Sequence, residues 1–122
     1  MTQLAAKQMV RQKSGSIINV PTTLVDQPIA GVGAAVQIMA KGALNAVTRA
    51  LALEYAREGI RVNTIAAGVI DPPMHQPESH AFLKGLQPVG RIGHVREVVD
   101  AASFLTDATF TSGEILHADA GK

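Results

Sequence analysis

Apolar positions change period along this chain, and the changes mark out its elements. Leu4, Ala5, Met9 and Val10 recur at helical spacing among Lys7, Gln8, Arg11 and Lys13, predicting an amphipathic opening helix that Ser14-Gly15 ends. Ile17-Ile18-Asn19-Val20 reads as a short buried strand, and Pro21 blocks its continuation. A polar, Gly-containing stretch leads to a long helix over about Val36 to Arg57, closed by Gly59. That helix carries one apolar stripe of Ala40, Leu44, Val47 and Leu51 and a second of Ala43, Ala46, Ala50 and Leu53. One stripe can face a sheet. The other needs a partner, either within the domain or on another subunit.

Residues Ile60 to Ile65 alternate well enough for a strand that directly follows the long helix, giving a parallel strand–helix–strand unit. Ala67-Gly68 opens a long loop with Pro72, Pro73, Pro77 and Pro88, a length usual for a functional lid or a mobile segment. Val98, Val99, Ala102 and Leu105 mark a third helix from Val95, and Glu114 to Ala118 form a last strand. The pattern predicts an α/β fold: a partial Rossmann-like three-layer arrangement, with a parallel sheet of about three strands, right-handed crossovers and flanking helices.

Composition narrows the function classes. The 122 residues suit a single domain over 1–122, and 47% hydrophobic with 17% charged content is that of a globular protein. Eleven Lys plus Arg against ten Asp plus Glu leave no basic surface for nucleic acid. Three Phe, one Tyr and no Trp give no stacking platform for single strands. Without Cys there is no disulfide, thiol nucleophile or thiolate metal site. No apolar run approaches the roughly 20 residues that span a bilayer, and the first residues lack a signal-like apolar core, so no membrane association and a cytoplasmic location are expected. His75, Glu78 and His80 lie in the Pro-rich loop rather than on one helix face, so no metal site is expected there.

Four stretches, GSIINV, KGALNAVTRALALEYAREGIRVNTIAAGVIDPPM, PVGRIGHVREVVDAASFLTD and TSGEILHADAG, agree in order and spacing with the carboxyl-terminal half of one family. In them the chain resembles a short-chain dehydrogenase/reductase over nearly its whole length. The resemblance implies a Rossmann-like domain that binds NAD or NADP and passes hydride to or from a small-molecule carbonyl or alcohol. It also implies association through the long helix, as a homo-oligomer or with a full-length homologue. In that scheme a hydroxyl after the first strand holds the substrate oxygen, a Tyr exchanges the proton, and a Lys one turn later binds the nicotinamide ribose. A phenol with a pKa near 10 needs such an ammonium to act near neutrality. Carried over by position, Thr22 takes the hydroxyl role, with Thr23 the alternative, and Lys41 takes the Lys role. Gln37 stands where the Tyr of Tyr-x-x-x-Lys is expected. The cofactor contacts carried over are Lys41, Gly68 and the backbone of Ile70.

Other departures fall around the same chemistry. The Pro-Gly turn after the middle strand is Ala67-Gly68, the Thr expected four residues after that Gly is Pro72, and the Asp-Gly-Gly near the end is Asp119-Ala120-Gly121. The family's Gly-rich pyrophosphate turn has no counterpart after any strand here, and Gly31-Val32-Gly33 is too short and lies before a helix. The matched region starts in the helix before the family's fifth strand, so one flank of the GSIINV strand is expected to lie open. Tyr55, fourteen residues beyond Lys41 on one helix, is too far away to supply the missing phenol and is read as structural.

Overall fold

A computed structural model of the chain describes residues 2–21, 35–70 and 88–121. Helix α1 (Thr2–Gln12) leads into strand β1 (Gly15–Asn19), and the long helix α2 (Ala35–Tyr55) ends in a 3₁₀ turn, Ala56–Glu58. Strand β2 (Ile60–Ala67), helix α3 (Val95–Asp107) and strand β3 (Ile115–Ala118) complete the order. The three strands lie in the order β1-β2-β3, all parallel, with Ile17 opposite Val62 and Thr64 opposite Ile115. This is the expected α/β arrangement.

Alternation along β2 sorts the layers. Ile60, Val62 and Thr64 face α1 and α2, where Ala6, Ile17 and Ala52 close a core with Met9, Leu51 and Tyr55 packed against it. Tyr55 is thus a packing residue, as expected. Arg61, Asn63 and Ile65 face the other way, towards α3, whose buried residue is Leu105. On that side Asn63 donates from Nδ2 to the Thr111 carbonyl at 3.1 Å and accepts from the Glu114 amide at 3.0 Å, fastening the turn before β3.

Arg61 does for α3 what no residue within that helix can do. Its guanidinium donates to the carbonyls of Leu105 (2.5 Å) and Thr106 (2.8 Å), of the kind a helix end leaves without intrahelical partners, and to that of Ala108 (3.1 Å), which also accepts the Thr111 amide. Hydrogen bonds from a charged donor contribute about 1.5–3 kcal/mol net. Arg61→Ala is therefore expected to lower stability by about that amount in urea unfolding, with little change in the slope.

The surface of α2 that meets the sheet is offset from both apolar stripes, with only Leu44 and Leu51 of the first stripe at its edge. The buried line is Asn45, Thr48 and Ala52, while Val47, Leu53, Ala43, Ala46 and Ala50 are exposed and Leu44 and Leu51 half-buried. Two hydroxyls decide this. Thr48 gives its only proton to the Leu44 carbonyl at 2.5 Å, so the 2.6 Å contact with Thr64 is donated by Thr64. Small polar residues thereby bring α2 close to β2, and the larger apolar groups stay outside.

Candidate functional site

Strand, helix and parallel strand run β1-α2-β2, so α2 lies antiparallel to the sheet and its first turns sit at the carboxyl ends of the strands. The Thr48–Thr64 bond sets the register between the two elements. Lys41 lies seven residues before Thr48, about 10 Å along the helix, and Gly68 four residues beyond Thr64, about 13 Å along the strand. Both therefore reach the same end of the sheet, where open α/β folds hold their ligands. Lys41 is exposed there.

The strand ends are tied to one another at this edge. The Ala67 amide donates to the Pro21 carbonyl at 3.2 Å, and the Gly68 amide to the Ala118 carbonyl at 3.0 Å. Beyond β2, Ile70 forms an isolated parallel bridge with Gly93, through the Gly93 amide and the Val69 carbonyl at 2.9 Å. Such a bridge uses the peptide groups flanking Ile70, so the residue's own N–H and C=O turn to the other flank.

Of the residues singled out from the sequence, Lys41, Gly68 and Ile70 are brought to this edge. Gln37 lies in the first turn of α2, one turn before Lys41, with its side chain outside the described residues. Thr22 follows Pro21 directly but falls outside the described residues, as do Thr23, Gly31, Val32, Gly33, Pro72, His75, Glu78 and His80. Among the described residues no group of three or more His, Cys, Asp or Glu could hold a metal ion, and no helix is long and apolar enough to cross a membrane.

A cleft of about 500 Å³ opens beside Ile70, between the start of α3 and the end of β3, with Val89, Gly93, Leu116 and Asp119 among its walls. That volume is within the range of small-molecule sites. A larger cleft of about 660 Å³ lies at the opposite end of the strands, near Ser14, Ile60 and Phe110, where none of the candidate residues stands. Of the candidate residues, Ile70 lines the carboxyl-end cleft. Asp119 closes its rim: it is buried, and its Oδ1 accepts the Gly121 amide at 3.1 Å. Ala120 between them has φ 54°, a left-handed backbone that costs a non-glycine residue roughly 1–2 kcal/mol.

The start of α3 holds an ion pair that the sequence reading did not single out. Glu97 accepts from both Arg91 guanidinium nitrogens, at 2.6 and 3.0 Å, and from the His94 amide at 2.7 Å. Those bonds, the Arg91 pair first and the His94 amide second, lower the Glu97 pKa to about 2. A depressed carboxyl stabilises the fold above its unfolded value and loses that contribution on protonation, so the clasp is complete above about pH 4.5 and comes apart towards pH 2. The signal was present in the sequence: an acidic residue three positions after the residue preceding a helix is capping-box spacing.

Comparison with known proteins now decides the family. A family model described as enoyl-(acyl carrier protein) reductase matches residues 1–122. The chain belongs to the short-chain dehydrogenase/reductase family. It is 37% identical to the 3-oxoacyl-[acyl-carrier-protein] reductase of Bos taurus over 117 residues, covering 96% of this chain and 48% of that protein. Among solved structures, an acetoin dehydrogenase from Salmonella typhimurium superposes with a TM-score of 0.80 at 31% identity, covering 98% of this chain and 49% of the other. The structure of ElxO with NADP bound gives a TM-score of 0.88 at 24% identity over 97% of this chain and 50% of that one, a likeness of fold. The chain spans about half the length of the curated relatives it matches. The fold expected from the resemblance is the one observed.

Proposed function

We propose that this short-chain dehydrogenase/reductase chain carries the nicotinamide end of an NAD(P) site and, as an isolated chain, performs little or no hydride transfer. The observation that carries this reading is the joint placement of Lys41 and the Gly68–Ile70 backbone at the carboxyl end of the sheet, with Gln37 one turn before the lysine. The donor set suits the nicotinamide end of a dinucleotide: an exposed ammonium for ribose hydroxyls, and main-chain N–H and C=O groups of Ile70 for a carboxamide. When bound, the nicotinamide would supply or accept hydride. Lys41 would orient the ribose, Thr22 would hold the substrate oxygen, and Gln37 would offer that oxygen a hydrogen bond but no exchangeable proton at neutral pH. The substrate class is a small carbonyl or alcohol, in keeping with the reductase and dehydrogenase names of the relatives.

A second reading is favoured by one observation. Val36, Met39 and Leu53 on α2 are 79%, 74% and 81% exposed, beside a row of exposed alanines, which is more bare apolar surface than one isolated helix usually shows water. Such a face suits a second copy or a full-length homologue, with the small residues permitting close helix approach. Titration with NADPH, alongside sedimentation, separates the two readings. The oxidoreductase reading expects saturable binding weakened at least tenfold by Lys41→Ala. Concentration-dependent assembly with no dinucleotide binding would favour the interaction module instead.

A further inference from the structure

The segment from Ala67 to Ile70 is held by three neighbours. Pro21 and Ala118 hold it through main-chain carbonyls, and Gly93 holds it through the bridge at Ile70. Only the third of these depends on charged side chains. The Glu97 carboxylate accepts from the Arg91 guanidinium and from the His94 amide, tying together the residues on both sides of Gly93, whose own amide bonds the Val69 carbonyl. The fit at Gly93 is close: a Cβ there would stand 2.8 Å from the Ile70 Cδ1 and 3.5 Å from a Glu97 carboxylate oxygen.

We propose that Glu97 is a positioning residue for the Gly68–Ile70 backbone, acting through Arg91 and the His94 amide to keep Gly93 bonded to Val69. The role rests on the oxidoreductase reading for its purpose, since it is the N–H and C=O of Ile70, turned away from Gly93, that would meet the cofactor. Arg91, Gly93 and Glu97 also line the 500 Å³ cleft beside Ile70, so the same clasp shapes its wall. A bidentate guanidinium–carboxylate pair suits this task because its two parallel bonds fix orientation as well as distance.

The test is Glu97→Gln, which keeps the side chain's shape and removes its charge. Amide hydrogen exchange should show the Gly93 N–H opening at least tenfold faster, while amides of β1 and of the α2–β2 core keep their protection. NADPH affinity, measured by titration, should fall by about threefold to tenfold. Unchanged exchange at Gly93 would overturn the proposal, and so would a uniform rise across the core, which marks a residue that only stabilises the fold. Faster exchange at Gly93 with unaltered NADPH affinity would overturn its link to the cofactor. Should the unaltered chain take up no NADPH, the oxidoreductase reading falls, and the exchange pattern alone then decides whether Glu97 holds Ile70 in place.

Discussion

Gly59→Ala is expected to remove about 2–5 kcal/mol of stability, a large share of the roughly 5–15 kcal/mol usual for a domain. Two effects combine at this position. Gly59 ends the α2 region with φ 73°, a left-handed conformation that costs an L-residue roughly 1–2 kcal/mol. Its absent Cβ would also stand 2.5 Å from the Lys13 carbonyl oxygen, a main-chain atom between α1 and β1 that cannot rotate aside, and overpacking of that kind costs roughly 1–3 kcal/mol. Gly90→Ala separates the two effects. Gly90 has φ 77° with nothing within 4 Å of its Cβ position, so only the backbone strain of roughly 1–2 kcal/mol should appear there. Urea midpoints for the two variants check both values, and equal losses would show that the contact with Lys13 is harmless.

The second large effect concerns turnover. Removal of a positioned general acid slows an enzyme by about 10² to 10⁴. At position 37 an amide stands in place of a phenol, and the chain's one tyrosine, Tyr55, packs against the core cluster about five turns further along the same helix. None of these 122 residues forms a Gly-rich pyrophosphate turn motif, so the contacts this stretch itself could make to a dinucleotide lie at the nicotinamide end. Gln37→Tyr by itself should therefore leave turnover far below family rates. Turnover should rise only when that variant is combined with a polypeptide that supplies the phosphate-binding half.

What the sequence made legible was local or short-range. The end of the long helix was readable because Gly59 is the residue type that a left-handed cap requires, and the observed cap is at Gly59. The strands were readable because isoleucine- and valine-bearing runs follow within two residues of glycines, and the candidate site positions were singled out because their spacing along one helix and one turn matches a known pattern. The face of α2 was misread for a physical reason. Apolar periodicity marks where burial is favourable, yet close approach here comes from the hydrogen bond between the Thr64 and Thr48 hydroxyls, and Asn45 and Thr48 are buried while Leu53 is not. Arg61 escaped notice because its value depends on partners brought together by folding, and Glu97 because its capping-box spacing carries no sign of the bridge it stands beside. Arg61 meets carbonyls more than forty residues away, and Glu97 matters through a bridge between Ile70 and Gly93.

Steady-state reduction of small carbonyl substrates with NADH and NADPH, run on the unaltered chain beside a full-length 3-oxoacyl reductase, tests the central claim most directly. Rates at least about 10² below the full-length enzyme are expected for every substrate tried, with either dinucleotide. Turnover by this chain at the full-length enzyme's rate, lost on Lys41→Ala, would contradict it, because Gln37 and a cofactor held at one end would then suffice for chemistry that neither should support.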